Sequence, residues 1–300
     1  MAIQNSLQKS KGNQRLGITA YLTGDAVKNQ INQVVGGKNG QRFISAIVSA
    51  VNTNPTLQEC TNQSILSGAL LGESLKLSPS PQLGHYYLVP FNDKTKGKVA
   101  QFQMGYKGYI QLAIRSGQYK KINVIAVKEG ELEYFDPLNE EIKINMMIDK
   151  WDEREAAPTI GYYAMFELVN GFRKAIYWSK AQMEAHALKY SPGYKKDRRD
   201  GSNHTFWSKD FDGMAYKTML RQLISKWGIM SIDMQSAIDA DMAVINEDGS
   251  KDYVDNDDSI IDAEPPQSEE PQPEPRQEAE KKPETTQQPT DAQMALFGNK

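Results

Sequence analysis

The chain has 300 residues, enough to bury a substantial hydrophobic core in one or two domains. It contains no run of eighteen apolar residues, and its polar N-terminus lacks the pattern of a secretory signal, which argues against a membrane-spanning or secreted protein and predicts a cytoplasmic one. A single cysteine, Cys60, rules out an intramolecular disulfide.

The net charge of -3 conceals a division between the C-terminal tail and the rest of the chain. Residues 236–300 hold seventeen acidic and five basic residues, a net -12, which leaves +9 on the first 235 residues. A basic body with an acidic tail is typical of a polyanion-binding protein whose tail moderates the same surface. Chance segregation of surface charge explains the composition equally well.

The N-terminal half reads as helices followed by a β-hairpin. We expect a flexible segment over residues 1–40, after which apolar residues at helical spacing predict one helix near 43–51 and a second over 62–75. Ser78-Pro-Ser-Pro81 interrupts the helical pattern. A strand over 85–91, a lysine-rich loop and an alternating return strand then predict an antiparallel hairpin.

The second half alternates between the two periodicities. Residues 106–116 form an amphipathic helix pattern with a basic-polar face, and 122–127 has the composition of a strand. Asn170-Gly171 between two apolar segments predicts a tight hairpin. A helix from about Ser179, a charged loop over 191–203 and a last helix over 207–227 follow.

These elements predict an α+β fold with N-terminal helices, antiparallel β-hairpins crossed by an amphipathic helix, and C-terminal helices. A folded core is expected over residues 41–245. The acidic, proline-rich residues 246–300 carry too few apolar side chains to offset the entropy of ordering and are expected to be a disordered tail.

Nucleotide and metal chemistry find little support in the sequence. Gly36-Gly-Lys-Asn-Gly-Gln lacks the residues of a phosphate-binding P-loop, so no ATP or other cofactor is expected. The histidines His85, His186 and His204 lie far apart and lack the spacing of a zinc site.

Two alternative functions stay open. Asp136 followed by Glu141-Ile-Lys143 weakly resembles the acidic arrangement of magnesium-dependent nucleases, although a solvated acidic edge or a subunit-pairing surface explains the acidic segment 129–155 more simply. A non-enzymatic structural adaptor that assembles through its helices is the other alternative.

Basic residues interleaved with aromatic ones favour binding of single-stranded nucleic acid, because cations hold phosphates and flat side chains stack on bases. Core packing is an equally good explanation for Tyr106 and Tyr109. The candidate DNA-binding residues are Lys94, Lys96, Lys98, Gln103, Tyr106, Lys107, Tyr109, Arg115, Lys195, Lys196, Arg198, Arg199, Trp207, Lys209, Lys217 and Arg221.

Two longer segments carry a family resemblance. Leu77-Ser-Pro-Ser-Pro-Gln-Leu-Gly-His-Tyr-Tyr-Leu-Val-Pro-Phe91 and Gln101-Phe-Gln-Met-Gly-Tyr-Lys-Gly-Tyr-Ile-Gln-Leu-Ala-Ile-Arg-Ser-Gly-Gln118 resemble the RecT family of phage and prophage recombination proteins. The helix with Met214-Ala-Tyr-Lys-Thr218 and Arg221 is similar to the family's C-terminal helix.

This resemblance implies a protein that is not an enzyme and that anneals complementary DNA strands without ATP, with a divalent cation as a modulator at most. It implies that the core over residues 41–245 binds DNA, anneals strands and oligomerises. The homo-oligomer would be ring-like or helical, and its basic groove would hold single-stranded DNA and the annealed duplex. It also implies a partner exonuclease and host single-strand-binding protein, for which the tail is the expected docking segment, and association with the nucleoid when DNA is bound.

Overall fold

A computed structural model describes residues 16–93 and 95–253 of the chain. Its helices are α1 (Ile18–Thr23), α2 (Asp25–Val35), α3 (Gly37–Thr53), α4 (Asn62–Ser74), α5 (Tyr106–Arg115), α6 (Trp151–Ala156), α7 (Lys180–Tyr190), α8 (Pro192–Asp200), α9 (Phe206–Lys209), α10 (Phe211–Trp227) and α11 (Ile232–Ala240). Its strands are β1 (Tyr86–Asp93), β2 (Gly97–Met104), β3 (Tyr119–Lys128), β4 (Leu132–Asp136), β5 (Glu141–Ile144), β6 (Thr159–Leu168), β7 (Arg173–Ser179), β8 (Val244–Ile245) and β9 (Lys251–Asp252).

The N-terminal helices form one layer of the main core. Apolar residues of α3 recur every three or four positions, and Phe43, Ile47 and Val51 are buried as this spacing predicts. Residues 18–35, which fall in the range expected to be flexible, instead form α1 and α2. Because Leu22 and Ile31 are fully buried in the main core, these two helices are part of the fold.

The hairpin β1–β2 packs beside α4, and its antiparallel register pairs Tyr86 with Met104 and Asp93 with Gly97. The ring of Tyr86 stacks on Phe102 at 4.9 Å between centroids. The chain returns to this hairpin at Ala243, whose carbonyl oxygen accepts from the backbone N–H of Phe102 at 2.8 Å. The strands β8 and β9 follow directly.

A three-stranded antiparallel sheet, in the order β3-β6-β7, separates two cores. Side chains alternate across β6, so that Tyr162, Ala164 and Phe166 enter the main core with α5 and α10, while Tyr163 and Met165 face the hairpin β4–β5 in a small second core. The turn after β6 has Gly171 at φ +89°, as the Asn-Gly pair predicts.

Two predictions for residues 191–227 are wrong. The segment predicted as a charged loop contains helix α8, whose start is capped by Ser191 with Pro192 behind it and whose end is left-handed Gly201. The predicted helix over 207–227 is interrupted at Asp210, whose carboxylate accepts from the backbone N–H of Gly213 at 2.9 Å and begins α10.

The mixed α and β architecture with antiparallel hairpins is confirmed. No helix in the described residues is both long and apolar enough to cross a membrane. The predicted tail lies outside the described residues from 254 onward, and so do residues 1–15 of the predicted flexible segment. Residues 251–252, inside the range expected to be disordered, form β9.

Candidate nucleic-acid interface

The lysines of the β1–β2 loop are largely engaged in ion pairs. Lys96 Nζ lies 2.5 Å from Asp252 Oδ2 and 2.9 Å from Asn246 Oδ1, which ties the loop to the β8–β9 hairpin. Lys98 forms an ion pair with Glu59. Lys94 lies outside the described residues. This loop therefore offers fewer unpaired cations than its sequence indicates.

Helix α5 presents Lys107 and Arg115 to solvent and turns its two candidate tyrosines, Tyr106 and Tyr109, toward the core. Tyr106 is half-buried with its ring edge-on to Tyr216, at 5.5 Å between centroids. Arg115 donates to the carbonyl oxygen of Leu75 and, at 3.2 Å, to that of Lys76, and so completes the end of α4. Gln103 on the preceding strand donates to Gln101 at 2.6 Å.

A buried cluster around Asp241 contradicts two of the predicted DNA contacts. Tyr109 is fully buried and its hydroxyl donates to Asp241 Oδ2 at 3.1 Å, while Lys217 Nζ lies 2.8 Å from Asp241 Oδ1. The backbone N–H of Met104 donates to the same carboxylate at 2.9 Å. Burial lowers the pKa of Lys217. Because water and ligands do not reach these groups, Tyr109 and Lys217 hold the core together and do not contact DNA in this fold.

The cations of helix α8 remain at the surface. Lys195 and Lys196 are exposed and form no ion pair with any described residue. Arg198 lies 3.1 Å from Glu184, and Arg199 lies 2.8 Å from Asp200. Since such exposed pairs contribute little, phosphates can compete with both carboxylates for the guanidinium groups.

Asp197, in the middle of this basic run, turns inward and fixes the connection from α8 to α9. Its Oδ2 accepts from the backbone N–H groups of His204 and Thr205 at 3.0 and 2.8 Å and from the hydroxyl of Ser208 at 2.7 Å. The Ser202 hydroxyl donates to Oδ1 at 2.7 Å. These hydrogen bonds, led by that of Ser208, hold the pKa of Asp197 far below its ordinary value.

The other late candidates divide between core and surface. Trp207 is buried, with its ring 5.2 Å from Phe211, so it packs against the protein and is not free to stack on bases. Lys209 is exposed. Arg221 is half-buried. Burial, together with the nearby charges of Arg221 and Lys189, lowers the pKa of His186 to about 4.

The structure brings two distant parts of the sequence together at this surface. The exposed ring of Phe206 lies 5.7 Å from that of Tyr87 on β1, and the side chains of Tyr87 and Lys107 both lie against Gly84. The start of α5 thus adjoins α9, which carries Lys209 three residues after Phe206. We name this surface the Tyr87–Phe206 surface; it consists of Tyr87, Lys107, Phe206 and Lys209, with Lys195 and Lys196 on the adjoining α8.

A model of the RecT family matches residues 41–259, most of the chain and most of the part that the structure describes. The chain belongs to the RecT family. Among its relatives, the uncharacterized protein YqaK of Bacillus subtilis is 40% identical over 279 residues, which cover 90% of this chain and 89% of YqaK. Protein RecT of Escherichia coli is 28% identical over 246 residues, covering 78% of this chain and 86% of that protein.

Members of the RecT family are single-strand annealing proteins of recombination, which makes single-stranded DNA the ligand class of this chain. The two sequence segments that carry the resemblance pack closely against each other through their main chains. A Cβ on Gly105 would stand 2.1 Å from the carbonyl oxygen of Gly84, and one on Gly108 the same distance from that of His85. Glycine is required at both positions because the start of α5 packs directly on the main chain before β1.

The acidic residues of the nuclease alternative lie in the β4–β5 hairpin, where Asp136 stabilises the turn. Asp136 pairs with Glu141 across β4–β5, and its carboxylate accepts from the side chain of Asn139 at 2.7 Å and from the backbone N–H of Leu138 at 2.8 Å. These bonds lower the pKa of Asp136. Among the described residues no three acidic, histidine or cysteine side chains lie together as a metal site would need.

Sequence reasoning missed the roles of two buried aspartates: Asp197 fixes the connection beside the exposed cations of α8, and Asp241 holds Tyr109 and Lys217 in the core. Asp197 sits among Lys195, Lys196, Arg198 and Arg199, where it looks like one more solvated charge. The signal available was the row of Ser202, Thr205 and Ser208 behind it, because clustered hydroxyl groups near a helix end indicate capping and local hydrogen bonds. Asp241 carries no comparable signal.

Proposed function

We propose that this RecT-family protein binds single-stranded DNA on the Tyr87–Phe206 surface and anneals complementary strands without hydrolysing a nucleotide. The observation that carries the proposal is that four exposed lysines lie on elements that adjoin the ring pair of Tyr87 and Phe206: Lys107 on α5, Lys195 and Lys196 on α8, and Lys209 on α9. Family membership supplies the annealing activity, and the surface supplies a place for the strand.

The proposed binding uses phosphates for affinity and leaves base edges free. Lysine side chains contact the sugar-phosphate backbone, which is independent of sequence, and the rings of Tyr87 and Phe206 stack on bases. Asp197 acts as a positioning residue, because it fixes the α8–α9 connection and thereby aims Lys195 and Lys196 outward.

Annealing then follows from charge neutralisation. Two complementary strands repel each other through their phosphates, and a strand already held on a cationic surface repels a second strand less. Base pairing selects the partner strand, so the protein needs no sequence-specific contacts and no nucleotide. Repetition of the surface in a homo-oligomer raises the affinity for a long strand above that of one subunit.

The decisive test compares Lys195→Glu/Lys196→Glu with a matched control, Lys28→Glu/Lys38→Glu, which makes the same charge change on exposed residues of α2 and α3. Wild type should accelerate annealing of complementary oligonucleotides without ATP and in the presence of a chelator. The α8 variant should bind single strands about tenfold or more weakly, and the slope of log affinity against log salt should be smaller by about 0.7 for each phosphate that the variant no longer neutralises.

The control variant should bind and anneal like wild type. Failure of wild type to anneal faster than protein-free DNA contradicts the proposed function. Equal binding by the α8 variant and wild type contradicts the proposed surface while leaving the function intact.

The tail belongs to a separate proposal. We propose that the acidic residues beyond 253 contact a partner exonuclease or host single-strand-binding protein, for which the support is their composition and the fact that nearly all of them follow residues 41–259, which the family model matches. A chain ending at Tyr253 should anneal oligonucleotides as well as the full chain and should lose co-purification with those two partners.

A further inference from the structure

His204 lies in the connection between α8 and α9, where one carboxylate holds both its main chain and its ring. Oδ2 of Asp197 accepts from the backbone N–H of His204 at 3.0 Å, and Oδ1 lies 3.4 Å from Nδ1 of the imidazole. Asp197 is buried, whereas the side chain of His204 is 84% exposed. The imidazole is therefore a surface group whose Nδ1 side is turned toward a fixed carboxylate.

The connection that carries His204 joins the two helices that supply three lysines of the Tyr87–Phe206 surface. Lys195 and Lys196 precede it on α8, and Lys209 follows it on α9. His204 stands two residues before Phe206, one of the two rings of that surface. His204 thus adjoins the cations and the aromatic ring that are proposed to hold the strand.

The two nitrogen atoms of the His204 ring act differently toward a phosphate. A carboxylate on the Nδ1 side favours a proton on Nδ1, which leaves Nε2 of the neutral ring as a hydrogen-bond acceptor, and an acceptor repels phosphate oxygens. In the protonated ring, Nδ1–H faces Asp197 and Nε2–H is a positively charged donor. Protonation therefore converts the outer side of the ring from one that repels a phosphate to one that binds it.

The charges around the ring single out Asp197. No other carboxylate among the described residues lies within ion-pair distance of the imidazole. The hydrogen bonds that Asp197 accepts, led by that of Ser208, hold its pKa far below its ordinary value, so it stays ionised wherever a histidine titrates. Asp197 attracts a positive charge on the ring, and the neighbouring cations repel one. The other charged side chains of the two helices are Lys195, Lys196, Arg198, Arg199, Asp200 and Lys209.

The other two histidines of the chain, His85 and His186, lie in the opposite environment. Burial and neighbouring cations lower the pKa of His186 to about 4 and that of His85 below its ordinary value. Neither forms an ion pair with a described carboxylate. Histidine is the side chain whose charge ordinarily changes between about pH 5 and 8. His204 is the one histidine of the three whose surroundings include a carboxylate to pair with the charged form.

We propose that His204 is a further DNA contact of the Tyr87–Phe206 surface, which binds a phosphate of the strand when its ring is protonated and not when the ring is neutral. The inference rests on the proposed function and adds a contact that depends on pH to lysine contacts that do not. One exposed ion pair changes an affinity by up to about fivefold, so the strand should be held more tightly in mild acid by about this factor.

The test measures the affinity of the full chain for oligothymidine, whose bases do not titrate in this range, at about pH 5.5 and about pH 8 over a series of salt concentrations. Wild type should bind about two- to fivefold more tightly at the lower pH, with a slope of log affinity against log salt that is larger by about 0.7. His204→Gln, neutral at both pH values, should match wild type at the higher pH and lose this difference. His204→Lys, charged at both, should bind at the higher pH as tightly as wild type does at the lower.

The matched control is His186→Gln, which removes a histidine of α7 and should keep the wild-type difference between the two pH values. Circular dichroism and the unfolding midpoint at both pH values establish that the variants fold. Equal affinity and slope of wild type at both pH values, a His204→Gln protein that keeps the full difference, or a His204→Lys protein no tighter than wild type at the higher pH overturns the proposal. Absence of binding by wild type at both pH values contradicts the proposed function instead.

Discussion

Asp241 and Asp197 are both buried carboxylates that accept hydrogen bonds from residues of several elements, yet they organise opposite kinds of region. Asp241 binds the ammonium group of Lys217, the hydroxyl of Tyr109 and the backbone N–H of Met104 inside the core. The charge of Lys217 is therefore neutralised within the protein. Asp197 accepts from hydroxyl and backbone groups, with Nδ1 of the exposed His204 3.4 Å from its Oδ1, and it binds neither of the lysines beside it. The neighbouring Lys195 and Lys196 are therefore left for solvent and ligands.

The difference teaches that a lysine in a basic, aromatic sequence is a DNA-binding candidate only when no buried carboxylate reaches it. Lys217 and Arg221 stand four residues apart on α10, a spacing that predicts a shared face. In the fold that face turns toward α11 and Asp241, and only Arg221 remains partly accessible.

The largest effect is expected from removing the buried carboxylate of Asp241. Asp241→Ala leaves Lys217 buried without its counter-ion and should lower the free energy of unfolding by about 3–5 kcal/mol. Urea denaturation measures the loss. The double variant Lys217→Met/Asp241→Asn removes the charge from both partners and should lose less. Equal losses in the two proteins would mean that the buried charge of Lys217 is not the cause.

Removing the carboxylate of Asp197 should affect stability less than removing that of Asp241, and it should affect DNA binding more. Asp197→Asn weakens the α8–α9 connection, so the thermal midpoint and the affinity for single-stranded DNA should both fall. The depressed pKa of Asp197 means that its contribution to stability is complete above the ordinary aspartate pKa of about 3.9 and is lost as the pH falls toward the lower folded value.

The difference in stability between wild type and Asp197→Asn should therefore be largest near neutral pH and shrink in acid. Asp200→Asn, which alters an exposed carboxylate on the same helix, is the matched control and should leave both midpoint and affinity nearly unchanged. A difference that stays constant down to pH 3 would show that the ionised carboxylate is not what stabilises the connection.

The smallest effect is expected at Tyr86, whose buried hydroxyl is hydrogen-bonded to neither Asp197 nor Asp241. The hydroxyl of Tyr86 is buried without a hydrogen-bond partner among the described residues, beside Gly72 and the stacked ring of Phe102. Because an unsatisfied buried hydroxyl costs free energy, Tyr86→Phe should leave stability within about 1 kcal/mol of wild type or raise it. A loss of several kcal/mol in thermal or urea unfolding would reveal a partner for this hydroxyl.

The sequence was sufficient to predict elements whose signals are local. The alternation of β2, the Asn-Gly turn after β6 and the apolar stripe of α5 each depend on neighbouring residues, and all three agree with the structure. Helix α8 also had local signals, Ser191 and Pro192 at its start and Gly201 at its end, but its charge density was mistaken for a loop.

The site could be predicted only in part, because burial depends on partners far along the chain. Lys217 and Asp241 are 24 residues apart, and Tyr109 and Asp241 are 132 apart. No spacing rule indicates such contacts. The pairing of Lys96 with Asp252, over 156 residues, changed the interpretation of the hairpin loop for the same reason.

Helix α10 has a consequence for how the fold responds to insertions. Asp212 in its first turn accepts a hydrogen bond from the hydroxyl of Tyr162 on β6, and its last residue, Trp227, lies against Lys174 of β7. The helix, 17 residues and about 25 Å long, is therefore fixed to the central sheet at both of its ends. Inserting one residue in α10 would lengthen the helix by about 1.5 Å and rotate the face that follows by about 100°, so the two contacts with the sheet could not both be kept.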